Sequence, residues 1–427
     1  MKKSNDKNTI KSVLSGMFTL LLGSASAKVL TLICIPVLTR LYSPDDYGVL
    51  AAYTSIVAIL FPALNFRYVL AIPLPSNDKM AINILFLSIF ISSLITILLS
   101  VLFIFYSTEI FYSLSLDSLN DWWFIVIIGA LGSAMYELFS TWSARKKNYT
   151  LIAKTQFKQA VFGSGAKLLL GVLSIAPLGL IIGQVVTQSA GIWSFVREFY
   201  RHDYKLIKFV SWTKMTFVFR YFKGFLIYRF PSQFLMALAS QAPILIMAKE
   251  FSTYETGQLS LAMMALAMPV GLMGQAVSKA YYAEIASLGK KNIGKIKIVT
   301  TAIQKKLFFV GVPVSIAIFF LGEFFFQVAF GSEWKLSGTF ASILAPYILI
   351  QFTSSPLVQV LNVIGSQFHF LLINAMRLVG IAMIYGYIVI NEISAIEFIE
   401  IISIWMFLFY LIITCVILNY VNKRSKC

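Results

Sequence analysis

An all-α integral membrane protein of about twelve transmembrane helices is the fold the sequence predicts, on three observations. Apolar runs of roughly twenty residues, enough to cross a hydrocarbon core of about 30 Å at helical rise, recur along the whole chain. Only 12% of the residues are charged and 59% are hydrophobic, whereas an ordinary soluble domain carries roughly 25% charged residues. The loops between the apolar runs alternate between basic and acidic, as short loops on opposite sides of a membrane do.

Taken in order, the predicted helices fall at about 12–38, 46–72, 80–106, 122–144, 150–174, 178–198, 215–247, 256–284, 303–328, 339–364, 367–390 and 396–420. Lys and Arg concentrate in the N-terminal arm (Lys2, Lys3, Lys7, Lys11), around Arg145, Lys146 and Lys147, and between Arg197 and Lys214. They gather again between Lys290 and Lys306 and in the tail at Lys423, Arg424 and Lys426. The intervening loops are acidic, with Asp45 and Asp46, Glu109, Asp117 and Asp121, Glu250 and Glu255, and Glu392, Glu397 and Glu400. Both termini are therefore expected in the cytoplasm. The first apolar run is too long for a cleaved signal peptide, lacks a small-residue cleavage site, and is expected to stay as helix 1.

The net charge of +17 lies mostly in loops facing anionic headgroups, so membrane lipid and not nucleic acid is the expected partner of the basic residues. Cys34, Cys415 and Cys427 imply no disulfide framework. His202 and His369 are far apart with no Cys or carboxylate at ligand spacing, so no metal site is expected. There is no G-x-x-x-x-G-K-[ST] phosphate loop, and no catalytic signature or cofactor is expected.

The longest internal break divides the chain into six-helix bundles at 1–200 and 215–427, joined by a cytoplasmic linker at 201–214. A weak repeat accompanies the division: Ser43, Asp46, Gly48 and Leu50 correspond to Ser252, Glu255, Gly257 and Leu259. Convergence of two short outer turns is the alternative. The stretch 289–306 is expected to form a basic amphipathic helix on the headgroups. Gly179 and Gly183 form a G-x-x-x-G suited to close helix packing.

Nine cations fall inside or at the edges of the predicted helices. Arg67, Lys158, Arg220, Lys223 and Lys279 lie near the cytoplasmic ends, where snorkelling and a role in a lumen or interface are both open. Lys28, Lys167, Arg229 and Arg377 are deeper, where each costs roughly 2.5–3.5 kcal/mol if it faces lipid. Those four are expected to line a polar cavity and engage an anion. The one clearly intramembrane acid is Glu137, either a counter-ion to one of them or a proton or sodium coupling site. Pro231, beside Arg229, is expected to bend or loosen helix 7. Gln156, Gln159, Gln184, Gln188, Gln233, Gln241, Gln275, Asn362 and Asn374 suit either sugar hydroxyls or interhelical bonds.

The opening stretch from Ser15, most specifically L-T-R-L-Y-S-P-D-D-Y-G at 38–48, resembles the N-terminal signature of the polysaccharide-biosynthesis flippases. These are the Wzx-type O-antigen transporters of the multidrug/oligosaccharidyl-lipid/polysaccharide (MOP) exporter superfamily. The resemblance implies a MATE-like fold of two pseudo-symmetric six-helix bundles around a central cationic lumen, working by alternating access. Its implied substrate is an undecaprenyl-pyrophosphate-linked oligosaccharide, with a polysaccharide polymerase and a chain-length regulator as implied partners. The pyrophosphate would meet Lys28, Lys167, Arg229 and Arg377. Rival readings are a flippase for another polyprenyl-linked envelope glycan and a MATE-like multidrug antiporter, whose cationic drugs would favour a more acidic lumen. A polymerase or ligase would bring a large outer loop, and every outer loop here is short. A major-facilitator symporter would show a G-x-x-x-D-R/K motif where this chain has I-P-L-P-S-N-D-K-M.

Overall fold

A computed structural model of the protein describes residues 2–114, 117–288, 293–358, 360 and 367–424. Within these, side chains before residue 22, at 117, 118 and 121, in parts of 269–293, in 367–371 and in 420–424 are not described. Among the described residues there is no strand, and fourteen α-helices carry the fold. They are α1 (Lys2–Leu41), α2 (Pro44–Leu64), α3 (Asp78–Tyr112), α4 (Trp123–Arg145), α5 (Tyr149–Val172), α6 (Leu178–Ser189) and α7 (Ile192–His202). There follow α8 (Trp212–Tyr221), α9 (Phe230–Glu250), α10 (Thr253–Leu288), α11 (Ile293–Phe330), α12 (Lys335–Ser354), α13 (Gln367–Asn391) and α14 (Ala395–Arg424).

Ten spans among the described residues are long and apolar enough to cross a membrane. The other two of the predicted twelve correspond to α5 and α10. In α5 the apolar run is diluted by Lys154, Gln156, Lys158, Gln159 and Lys167. The protein is thus an all-α, multi-pass membrane protein. It divides into two compact units, Met1–Ala237 and Leu238–Cys427.

In the first unit α1 packs on α5, α5 on α6, and α4 on α2, α3 and α6. Its best-formed core gathers Tyr68, Ile72, Ile82, Leu85, Trp142 and Val218 around the α2–α3 connection. Glycines set the closest approaches: a Cβ on Gly183 would strike the Lys167 side chain, and one on Gly179 would strike Tyr42 and Leu170. The G-x-x-x-G of α6 is therefore the face that seats α5.

Ser43 caps α2 by a reciprocal pair, its Oγ accepting from Asp46 N (3.2 Å) while its own N–H donates to Asp46 Oδ2 (2.9 Å). Ser252 caps α10 in a related way, accepting from Glu255 N (3.1 Å) and donating its hydroxyl to Glu255 Oε2 (2.9 Å). The two turns aligned as a repeat thus share a capping function. Ser394 and Glu397 do the same at α14, so capping alone accounts for the Ser and the acid.

Three predicted helices are broken. Helix 2, expected over 46–72, stops at Leu64; Phe66 and Arg67 then adopt left-handed backbone (φ 43 and 60) before a 3-10 turn at Tyr68–Ala71. Helix 6 divides at Gly191, whose φ of 94 suits a residue without a side chain. Helix 7 divides after Tyr221, and a π-helical turn at Phe225–Arg229 leads into α9. That turn ends on a bond from Phe230 N to Phe225 O, just before Pro231, which has no N–H to continue the α-helical ladder.

In the second unit α11 packs on α12, and α12 on α10 and α14. The basic stretch at 289–306, expected to be helical, is helical from Ile293. From Ile293 the stretch is the first part of α11, held to α10 by buried Ile296 and by a bond between the Tyr281 and Thr300 hydroxyls (2.6 Å). Residues 289–292 lie outside the described residues, as do Asn362 and Cys427. Helix 10, expected to reach 364, ends at Ser354.

Candidate functional site

The corner that ends α2 is where polar chemistry concentrates in the first unit. Asn65, fully buried, accepts Arg67 N on its Oδ1 (2.9 Å), which stabilises the left-handed turn. The turn aims Arg67 at α4. There Nη1 donates to Glu137 Oε2 (3.2 Å), Nη2 lies 3.1 Å from Oε1, and Asn65 Nδ2 approaches Oε2 at 3.4 Å. This is a two-pronged guanidinium–carboxylate pair, with side-chain exposures of 9% and 19%, and the Phe61 ring lies 5.4 Å from the guanidinium carbon. Arg67 Nε is buried without a partner in the structure. The pair is held to the broken helix beyond it. Phe66 meets Phe230 edge to face at 5.2 Å, Tyr68 stacks on Phe219, and the Tyr68 hydroxyl donates to Phe219 O (3.0 Å).

Arg229, in the π-helical turn, is half-buried, and its chain neighbour Phe230 packs on Phe66, the chain neighbour of Arg67. Glu137 meets Arg67, a cation expected near the cytoplasmic end, and none of the four deeper ones. Arg67 does not snorkel.

Lys167 on α5 donates to Gln184 Oε1 on α6 (2.7 Å), and its carbonyl accepts the Tyr42 hydroxyl (2.8 Å). Lys28 on α1 is half-buried, one turn beyond Ser24, which donates to Gln156 Oε1 on α5 (2.6 Å). Among the described residues the side chains of Lys28 and Arg229 have no hydrogen-bond or ion-pair partner. Arg377, in the second unit, is buried, reaches Ser240 Oγ at 3.4 Å and leaves Nε unpartnered. Lys158, Arg220 and Lys223 are exposed, Lys158 donating to Ser194 Oγ (3.0 Å), and the Lys279 side chain lies outside the described residues.

Four of the amides take part in interhelical bonds. Gln156 and Gln184 are engaged as above, Gln188 accepts the Tyr53 hydroxyl (3.0 Å), and Gln159 donates to Gln188 O (3.4 Å). Asn65 and Tyr68, which shape the corner, were not singled out from sequence. Asn65 directly after an apolar run is a helix-stop signal that would have found the turn.

Comparison with solved structures places this arrangement in a known fold. The chain is similar to a multidrug resistance MATE family transporter of the MOP superfamily in an inward-facing conformation, with a TM-score of 0.65 and 13% identity over 96% of this chain and 95% of that one. It is also similar to the lipid II flippase MurJ in an inward closed conformation, with a TM-score of 0.63 and 13% identity over 95% of this chain and 85% of that one. The Vibrio cholerae MATE transporter VcmN in its bent form gives 0.56 and 13% over 96% and 97%. At these identities the likeness establishes the MOP fold. No curated protein matches the sequence. The family model described as polysaccharide biosynthesis protein matches residues 37–339, more than half of the chain. The chain belongs to the polysaccharide biosynthesis protein family.

Proposed function

We propose that the protein is a flippase that moves undecaprenyl-pyrophosphate-linked O-antigen, or a related polysaccharide repeat unit, from the cytoplasmic to the periplasmic leaflet of the inner membrane by alternating access. The observation that carries this reading is the pair of half-buried cations, Lys28 and Arg229, with no acid facing either among the described residues while Glu137 is occupied by Arg67. Unpaired cations within membrane helices are costly and mark the path of an anion. A pyrophosphate would be received by Lys28, Lys167 and Arg229 in the first unit and by Arg377 in the second. The glycan would cross in a polar lumen while the polyprenyl chain stays in lipid. Glu137 acts in this reading as the counter-ion of Arg67. In this reading both termini lie in the cytoplasm, and a polymerase and a chain-length regulator would act downstream.

The family description favours a glycan cargo over a drug. The likeness to a lipid II flippase supports a second reading, a flippase for another polyprenyl-linked envelope glycan. The test is the lipopolysaccharide ladder of the source bacterium after deletion of the gene and its restoration. Wild type is expected to restore the ladder, and the combined Lys28→Ala, Lys167→Ala, Arg229→Ala, Arg377→Ala variant is expected not to, at equal membrane levels. A ladder that survives deletion favours the second reading. A ladder restored by the quadruple variant overturns the cationic path.

A further inference from the structure

Near the end of α11, Glu323 lies among Phe319, Phe320 and Phe324, aromatic side chains that are all exposed on the bare protein and so face lipid. A carboxylate in such surroundings calls for a partner. The Thr339 hydroxyl donates to Glu323 Oε1 (2.8 Å), and Lys335 Nζ lies 3.6 Å from Oε2, both from the start of α12. The convergence is enforced by backbone. Gly338 has the Glu323 backbone where its Cβ would stand, and a Cβ on Gly322 would meet the Ser342 hydroxyl and the Gly338 carbonyl. The charged groups border an open pocket of about 500 Å³.

A second cavity, a half-open groove enclosing about 70 Å³, continues along the same α11–α12 seam. Ile318 and Ala345 line it where Phe319 and Ile343 line the first, and it runs back to Val310 and Phe352. No charged side chain lines it, and its one hydroxyl, Ser315, is bonded to Ala345 O (3.0 Å). At 1.5 Å per residue Glu323 lies about 10 Å before the end of α11, and Val310 about 20 Å deeper. The seam is therefore polar toward the end of the span and apolar for about 20 Å toward its middle.

We infer that this seam is a binding site for a two-chain zwitterionic phospholipid whose headgroup carries a primary ammonium and a phosphate. Glu323 receives the ammonium, Lys335 the phosphate, and one acyl chain lies along the half-open groove. The pairing of opposite charges selects this headgroup, since a purely anionic one would meet the Glu323 carboxylate. The inference is independent of what the protein transports.

Delipidated full-length protein, titrated with phosphatidylethanolamine, phosphatidylglycerol or a polyprenyl phosphate, is read by native mass spectrometry. Wild type is expected to retain phosphatidylethanolamine about fivefold over phosphatidylglycerol. Glu323→Gln, at an exposed position, is expected to abolish that preference, and Val314→Trp, which fills the groove from its open side, to lower retention of both two-chain lipids. Equal retention of the two by wild type, an unchanged preference in Glu323→Gln, or undiminished retention in Val314→Trp overturns the site. Displacement of phosphatidylethanolamine by an equal amount of polyprenyl phosphate overturns it too, assigning the seam to a substrate chain.

Discussion

Arg67 and Glu137, seventy residues apart in sequence, share two guanidinium–carboxylate contacts at 3.1 and 3.2 Å across the α2 corner and α4. Removing one partner leaves a buried charge uncompensated, which costs about 3–5 kcal/mol, whereas replacing both by apolar groups is often close to neutral. Glu137→Gln is therefore expected to lower the melting temperature of the purified protein more than Arg67→Met combined with Glu137→Met. Thermal unfolding in detergent checks the order. A double variant less stable than the single one would show that the pair contributes more than mutual neutralisation.

Gly183 gives the second prediction. A side chain there has no room against Lys167, so Gly183→Val forces α5 and α6 apart at an overpacking cost of about 1–3 kcal/mol. The melting temperature is expected to fall. The bond from Lys167 to Gln184, one residue beyond Gly183, is expected to break with it, which amide exchange along α6 would register as faster exchange.

Lys146, just beyond α4, bridges Asp78 Oδ2 (2.7 Å) and Asp203 Oδ1 (2.9 Å). Partial burial by itself would lower its pKa, and the two carboxylates more than offset this, holding the ammonium above its ordinary value of 10.5. A raised folded pKa gives stability that is complete below the unfolded value and fades as pH rises through the folded one. Lys146→Met is thus expected to cost about 1–2 kcal/mol, unchanged between about pH 6 and 9. The difference from wild type should shrink only above about pH 10.5, as melting curves across that range would show.

Much of the fold was legible because lipid imposes a length and a polarity on each span. Most of the predicted helices fall on observed ones, and the small residues Gly179 and Gly183 lie on a packing face as their spacing suggested. The breaks were less legible, since they depend on single residues with weak signals. Asn65 turns the chain through two left-handed residues that carry full side chains, and nothing in F-R-Y marks them. The partner of Glu137 was hidden for a different reason. Position along a helix can be read from hydropathy, but rotation about its axis cannot, and it is rotation together with the Arg67 turn that selects this cation over Lys28 or Lys167.

The joining of the basic stretch to α11 makes a single rod of 38 residues, about 57 Å long against a hydrocarbon core of about 30 Å. Its only internal proline is Pro313, where the missing N–H weakens the ladder. Lys295 lies eighteen residues before it, about 27 Å away along the axis. A bend of about 10° at Pro313 therefore sweeps Lys295 through about 5 Å, a lever that displays outside the bilayer a movement made within it.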